Sequence, residues 1–136
     1  MKLIKRIVLF TLIFLLPAGS LLAEEYKVVF HLNDTAKLPN LEKGVLNLKK
    51  SLGDDVDIKV VINGRVVTSM LSGNRLVEDK VNSMLANDAE IGLCHNAIKN
   101  HKVNTSLLID GVSILEQGGY IAILELQKKG YVYIKI

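Results

Sequence analysis

Apolar and polar positions change period several times along this chain, and the changes divide it into alternating strands and helices. "YKVVFHLN" (26–33) is a β-branched and aromatic run that turns polar at its end, as a buried strand does. "LPNLEKGVLNLKKSLG" (38–53) sets Leu41, Val45, Leu48 and Leu52 at helical spacing with a charged opposite face. Pro39 stands near its start and Gly53 at its stop. "VDIKVVING" (56–64) is a second strand closed by Asn63-Gly64, and "LVEDKVNSMLAND" (76–88) a helix with Val77, Val81, Met84 and Leu85 on one stripe. "EIGLC" (90–94) is a short strand and "NAIKNH" a short helix after it. "VSILE" (112–116) is a strand, "GGYIAILELQKKG" (118–130) a helix stopped by Gly130, and "YVYIKI" (131–136) a terminal strand.

Strands separated by helix-length segments predict a mostly parallel sheet covered on both faces. The continuous apolar runs fit strands buried on both sides. "YVYIKI" alternates more and suits an edge. The expected fold is a three-layer α/β domain of flavodoxin-like type with five strands. In such sheets ligands and chemistry collect beyond the carboxyl ends of the strands. Those ends carry His31 and Asn33, then Asn63 and Gly64, then Cys94, His95 and Asn96, then Glu116 and Gln117.

The first residues change the meaning of the composition. "MKLIKR", then "IVLFTLIFLL", then "PAGSLLA" follow the order of a secretory signal peptide, which places the protein in the periplasm. Cleavage is expected after Ala23, with Ser20 the second choice, giving a leader over 1–23 and one α/β domain over 24–136. An uncleaved leader is the only route to the membrane, and its apolar run, interrupted by Pro17, is shorter than the ~20 residues a spanning helix needs. The whole chain has 17 Lys and Arg against 14 Asp and Glu, but Lys2, Lys5 and Arg6 leave with the leader. The remainder is neutral, with no basic face interleaved with aromatics, so nucleic acid is not an expected partner.

Export makes the cysteine count informative. Cys94 is the only cysteine, so no internal disulfide can form, and it is either a free thiol or a link to another chain. In "IGLCHNAIKN" it stands between a strand and the first turn of a helix. A helix starting near Asn96 would bring free backbone N–H groups and the positive end of the dipole to the sulfur, favouring thiolate over thiol. The opposing reading is a core cysteine, since cysteine is among the residues most often buried.

Three stretches, "DIKVVINGRVVTSML", "EIGLCHNAIKNHKV" and "SILEQGGYIAILELQKKGYVYIKI", resemble the DsrE/DsrF-like proteins, small α/β subunits linked to sulfur relay. The resemblance runs from "KVVFHLND" to the end, and the closing Gly130, Tyr131, Tyr133, Ile134 and Lys135 are similar to that family's ending. It implies that Cys94 matches the sulfur-carrying position, where members accept a persulfide and pass it on. It makes Asn63 and Asn96 pocket neighbours, and implies assembly into trimers or hexamers. The export signal places this chain nearer to exported relatives, whereas the relay members act in the cytoplasm with donor and acceptor partners.

Other chemistries are less well supported. His31, Cys94, His95 and His101 fit no zinc spacing, so no metal is expected. "NGRVVTSMLSGNR" lacks phosphate-loop spacing, and no cofactor is expected. A Cys-His hydrolase would need His31 to face Cys94 across neighbouring strands, with Asn33 or Asn63 orienting it. The expected function is therefore an exported DsrE/DsrF-like subunit that carries sulfur on Cys94 or exchanges thiols with a donor or acceptor protein or a small thiol. His31, Asn33, Asn63, Gly64, His95 and Asn96 would line its site. The alternative is a non-catalytic ligand-binding or assembly module in which Cys94 is structural.

Overall fold

A computed structural model describes residues 25–136. The expected leader and both cleavage positions lie outside the described residues. Five strands form one sheet: β1 (Tyr26–Leu32), β2 (Val56–Ile62), β3 (Ala89–Cys94), β4 (Ser113–Leu115) and β5 (Val132–Lys135). All pairings are parallel, in the order β4-β3-β2-β1-β5. Four helices connect them: α1 (Leu38–Leu52), α2 (Arg75–Leu85), α3 (His95–Asn100) and α4 (Gly119–Lys128).

The topology follows from right-handed crossovers. The chain steps in one direction from β1 to β4, then α4 carries it back to the far side of β1. That reversal puts α4 on the opposite face from the other helices. On one face Leu41 and Val45 of α1, Val77, Val81 and Met84 of α2, and Ala97 and Ile98 of α3 pack against Phe30, Ile58, Val60, Ile91 and Leu93. On the other, Ile123 and Leu126 of α4 pack on Val29 and Val61 with Tyr131. The arrangement is the three-layer, five-stranded α/β fold that the sequence predicts, and its sheet, expected to be mostly parallel, is parallel throughout.

Local signals explain the boundaries. Pro39 lies in the first turn of α1, and Gly53 closes the helix at φ +58°. The strand expected over 56–64 ends at Ile62, and Gly64–Ser69 forms a 3-10 turn that buries Val66 and Val67. The helix expected over 76–88 ends at Leu85, and Asp88 adopts φ +59° before β3. Among the described residues no helix is long and apolar enough to cross a membrane.

Coverage of the two faces is unequal. Three helices bury one side, while α4 alone lies on the other and leaves Tyr120, Ile121 and Leu124 exposed. β5, an edge strand, exposes Val132, Tyr133 and Ile134.

Candidate functional site

Strand register builds the site. Ile62 pairs with Leu93, so Asn63 and Cys94 follow side by side at the carboxyl ends of β2 and β3. His31 pairs with Val61, and Tyr133 pairs with Val29, on strands flanking them. Val29 and Val61 face α4, and alternation along a strand sends residues two apart to the same side. Tyr133, His31, Asn63 and Cys94 therefore cross four adjacent strands in a row near the start of α4.

Cys94 is a free thiol, 8% exposed, on the wall of a cavity of about 420 Å³. Asn63, Gly64, Asn96, Asn100, His101 and Gln117 line the same cavity, together with the first residues of α4. The backbone N–H of Gly119 donates to Cys94 Sγ at 3.2 Å. An N–H aimed from a helix N-terminus stabilises negative charge on the atom that it meets. This differs from the sequence-based expectation. Cys94 caps α3, but its side chain accepts no hydrogen bond from the first turn of that helix. The donor belongs to α4, which the sheet topology brings over the sulfur.

The approach is close enough to restrict residue choice. A Cβ on Gly119 would lie 3.2 Å from Cys94 Cβ, 3.3 Å from Val61 Cγ1 and 3.4 Å from Asn63 Cβ. Gly118 has φ +88°, a conformation open to glycine and strained for most side chains. The Gly118-Gly119 pair thus supplies both the turn and the clearance that place an amide on the sulfur.

His31 is buried and doubly hydrogen-bonded. Its Nε2 lies 2.9 Å from Asn63 Oδ1, and its Nδ1 lies 2.7 Å from the Tyr133 hydroxyl. Because Oδ1 only accepts, Nε2–H donates to it, and the neutral ring accepts the Tyr133 O–H at Nδ1. Burial lowers the His31 pKa from its ordinary 6.5. The Asn63 hydrogen bond opposes that shift, and the charge of Lys135 adds to it. The edge of the ring meets Tyr120 at a centroid distance of 6.1 Å.

Four of the seven residues expected from the sequence, Cys94, Asn63, Gly64 and Asn96, share one cavity. His31 reaches it only through Asn63 and itself lines a neighbouring groove with Tyr120 and Tyr133. Asn63 therefore occupies the partner position that a Cys-His pair would need. His95 turns away, its Nδ1 2.9 Å from Glu116 Oε2, and Asn33 accepts from Lys135 Nζ at the surface. His101 lines the cavity instead. Gly119, Tyr120 and Tyr133 are not among the site residues expected from the sequence, where Tyr133 figures only in the terminal strand. The Gln117-Gly118-Gly119 run was the available signal for the first two, whereas Tyr133 needs the β1–β5 register. Among the described residues no three His, Cys, Asp or Glu side chains gather as a metal site.

No protein-family model matches the sequence, and no curated protein matches it. Solved structures do share the fold. A protein of unknown function from Methanobacterium thermoautotrophicum, MTH1491, superimposes with a TM-score of 0.74 at 24% identity, over 82% of this chain and 100% of that one. The ychN protein from E. coli gives 0.69 at 19% identity, over 82% and 99%. A conserved protein of unknown function from Bacteroides thetaiotaomicron, BT1422, gives 0.67 at 21%, over 81% and 94%. The chain thus spans nearly the full length of each, and the likeness is one of fold.

Proposed function

We propose that the chain is an exported, DsrE/DsrF-like subunit in which Cys94 carries sulfur as a persulfide. The observation that carries this reading is the Gly119 N–H directed at Cys94 Sγ beside a cavity of about 420 Å³. The thiolate attacks the outer sulfur of a donor persulfide, R–S–S–H. A new S–S bond forms to Cys94, the donor's S–S bond breaks, and RS⁻ leaves with the electron pair. An acceptor thiolate then attacks that outer sulfur and expels Cys94 as thiolate. The same backbone N–H that favours the attacking anion stabilises it again as the leaving group. The donor and acceptor are small thiols or partner proteins able to reach the cavity.

The carboxamides of Asn63, Asn96, Asn100 and Gln117 give the cavity donors and acceptors with no fixed charge. Such a lining, with these polar groups set in a largely apolar wall, suits a small thiol better than a polyanion. Export rests on the 1–23 leader and puts the protein in the periplasm. Self-association, to a trimer or hexamer by the family resemblance, is supported by the exposed apolar residues of α4 and β5.

Mass spectrometry of native protein after incubation with a small persulfide donor tests the reading. Gain of one sulfur, reversed by a thiol and absent from Cys94→Ser, is the expected result. The 8% exposure of Cys94 and its packing among core residues favour the second reading, a binding or assembly module with a structural cysteine. An unchanged mass would select it.

A further inference from the structure

The hydrogen bonds that cross the sheet have a direction, and it ends in the cavity. Tyr133 O–H donates to His31 Nδ1 at 2.7 Å, and His31 Nε2–H donates to Asn63 Oδ1 at 2.9 Å. With Oδ1 held, Asn63 can turn only its Nδ2 amide elsewhere. Asn63 is 6% exposed and lines the cavity beside Cys94. Its Nδ2 has no partner among the described residues, yet no fully enclosed side-chain N or O atom there is left unpaired. That amide therefore borders the cavity, a donor awaiting an acceptor. The opposite arrangement, with Nδ1–H on Tyr133 and Nε2 accepting from Asn63, would turn Oδ1 to the cavity and set an acceptor beside the sulfur.

We infer that His31 and Tyr133 are positioning residues that hold the Asn63 amide with its N–H toward anionic sulfur in the Cys94 cavity. The inference rests on the carrier reading of Cys94. Neither ring touches the reacting atom. His31 acts by fixing which end of the amide meets the cavity, and Tyr133 acts by fixing the tautomer of His31. Gly119 N–H serves the sulfur from α4, and Asn63 Nδ2 would serve the anion from just beyond β2, so charge on the carrier or its outer sulfur meets donors from two parts of the fold.

The test is the alkylation rate of Cys94 by iodoacetamide in the folded full chain at neutral pH. His31→Leu keeps apolar bulk and removes the donor; His31→Gln keeps an N–H near the Nε2 position. Loss of one hydrogen bond to an anion lowers the thiolate population about tenfold, and the gain in intrinsic nucleophilicity returns part of that. His31→Leu should then slow alkylation about threefold, while His31→Gln stays close to wild type. In an Asn63→Ala background His31→Leu should add no further loss. Equal rates for Leu and wild type, a better rate for Leu than for Gln, or a full His31→Leu effect without Asn63 would overturn the inference.

Should His31→Leu not fold, the tautomer decides. Ring nitrogen chemical shifts are expected to show the neutral Nε2–H form in wild type, and an Nδ1–H form would overturn the inference. A wild-type Cys94 that alkylates only in denaturant would instead sink the carrier reading. The tautomer measurement would still judge the donor chain, so the two failures separate.

Discussion

At the scale of residues, a hydrogen-bonded donor distinguishes Cys94 from an ordinary core cysteine. It is nearly as buried as its apolar neighbours, yet its sulfur accepts the Gly119 N–H and borders a cavity. His31 shows the complementary pattern, a titratable ring kept neutral inside the fold. Its native pKa is lowered, chiefly by burial, from the 6.5 of a free side chain. The unfolded chain therefore binds the proton more readily, and the stability due to neutral His31 is complete above pH 6.5. It is lost as the pH falls through the lower native value. Urea unfolding below pH 6.5 should show stability dropping with acid, and His31→Gln should flatten that slope. Tyr131 behaves oppositely. Burial and its hydrogen bond to Asp57 raise it from 10.0 to about 12. Its contribution is complete below pH 10 and disappears as the pH rises toward 12, so Tyr131→Phe should remove an alkaline loss of stability seen in wild type over that window.

At the scale of elements, the start of α4 sets the surroundings of Cys94. Gly118 and Gly119 bring the helix so close to β2 and β3 that its first amide reaches the sulfur. Gly119→Ala gains helix propensity but crowds Cys94, Val61 and Asn63, and overpacking of this kind typically costs about 1–3 kcal/mol. The expected net result is a loss of about 1 kcal/mol in urea unfolding, with slower native alkylation of Cys94. The strands and helices themselves were legible in the sequence. Val77, Val81 and Met84 form the buried stripe that their spacing predicts, and Pro39 and Gly53 bound α1. The partner of Cys94 was not legible. Adjacency in sequence points to α3, whereas the donor comes from a helix twenty-five residues away, placed there by the order β4-β3-β2-β1-β5. Tyr133 was hidden for the same reason, because its meeting with His31 depends on which strand lies beside β1. His95, expected to line the site, is the first residue of α3 and turns to Glu116.

At the scale of the whole molecule, unequal coverage of the sheet is the dominant feature. α4 is apolar on its sheet-facing side, at Ala122 and Ile123, and also outward, at Tyr120, Ile121 and Leu124. A helix apolar on both sides is normally covered on both. Self-association should therefore bury this face, and Leu124→Glu should shift the protein toward the monomer in light scattering without altering its circular dichroism. An unchanged mass would place any assembly elsewhere. The face lies beside the groove lined by His31, Tyr120 and Tyr133, so this exposed surface and the donor chain to Asn63 are neighbours in the fold. The proposed sulfur carriage nevertheless depends first on one atom, Cys94 Sγ. Thiol labelling of native protein across pH, with and without denaturant, tests it most directly. Rapid labelling of Cys94 at neutral pH in the folded state is the predicted result; labelling that begins only when denaturant is added would contradict it.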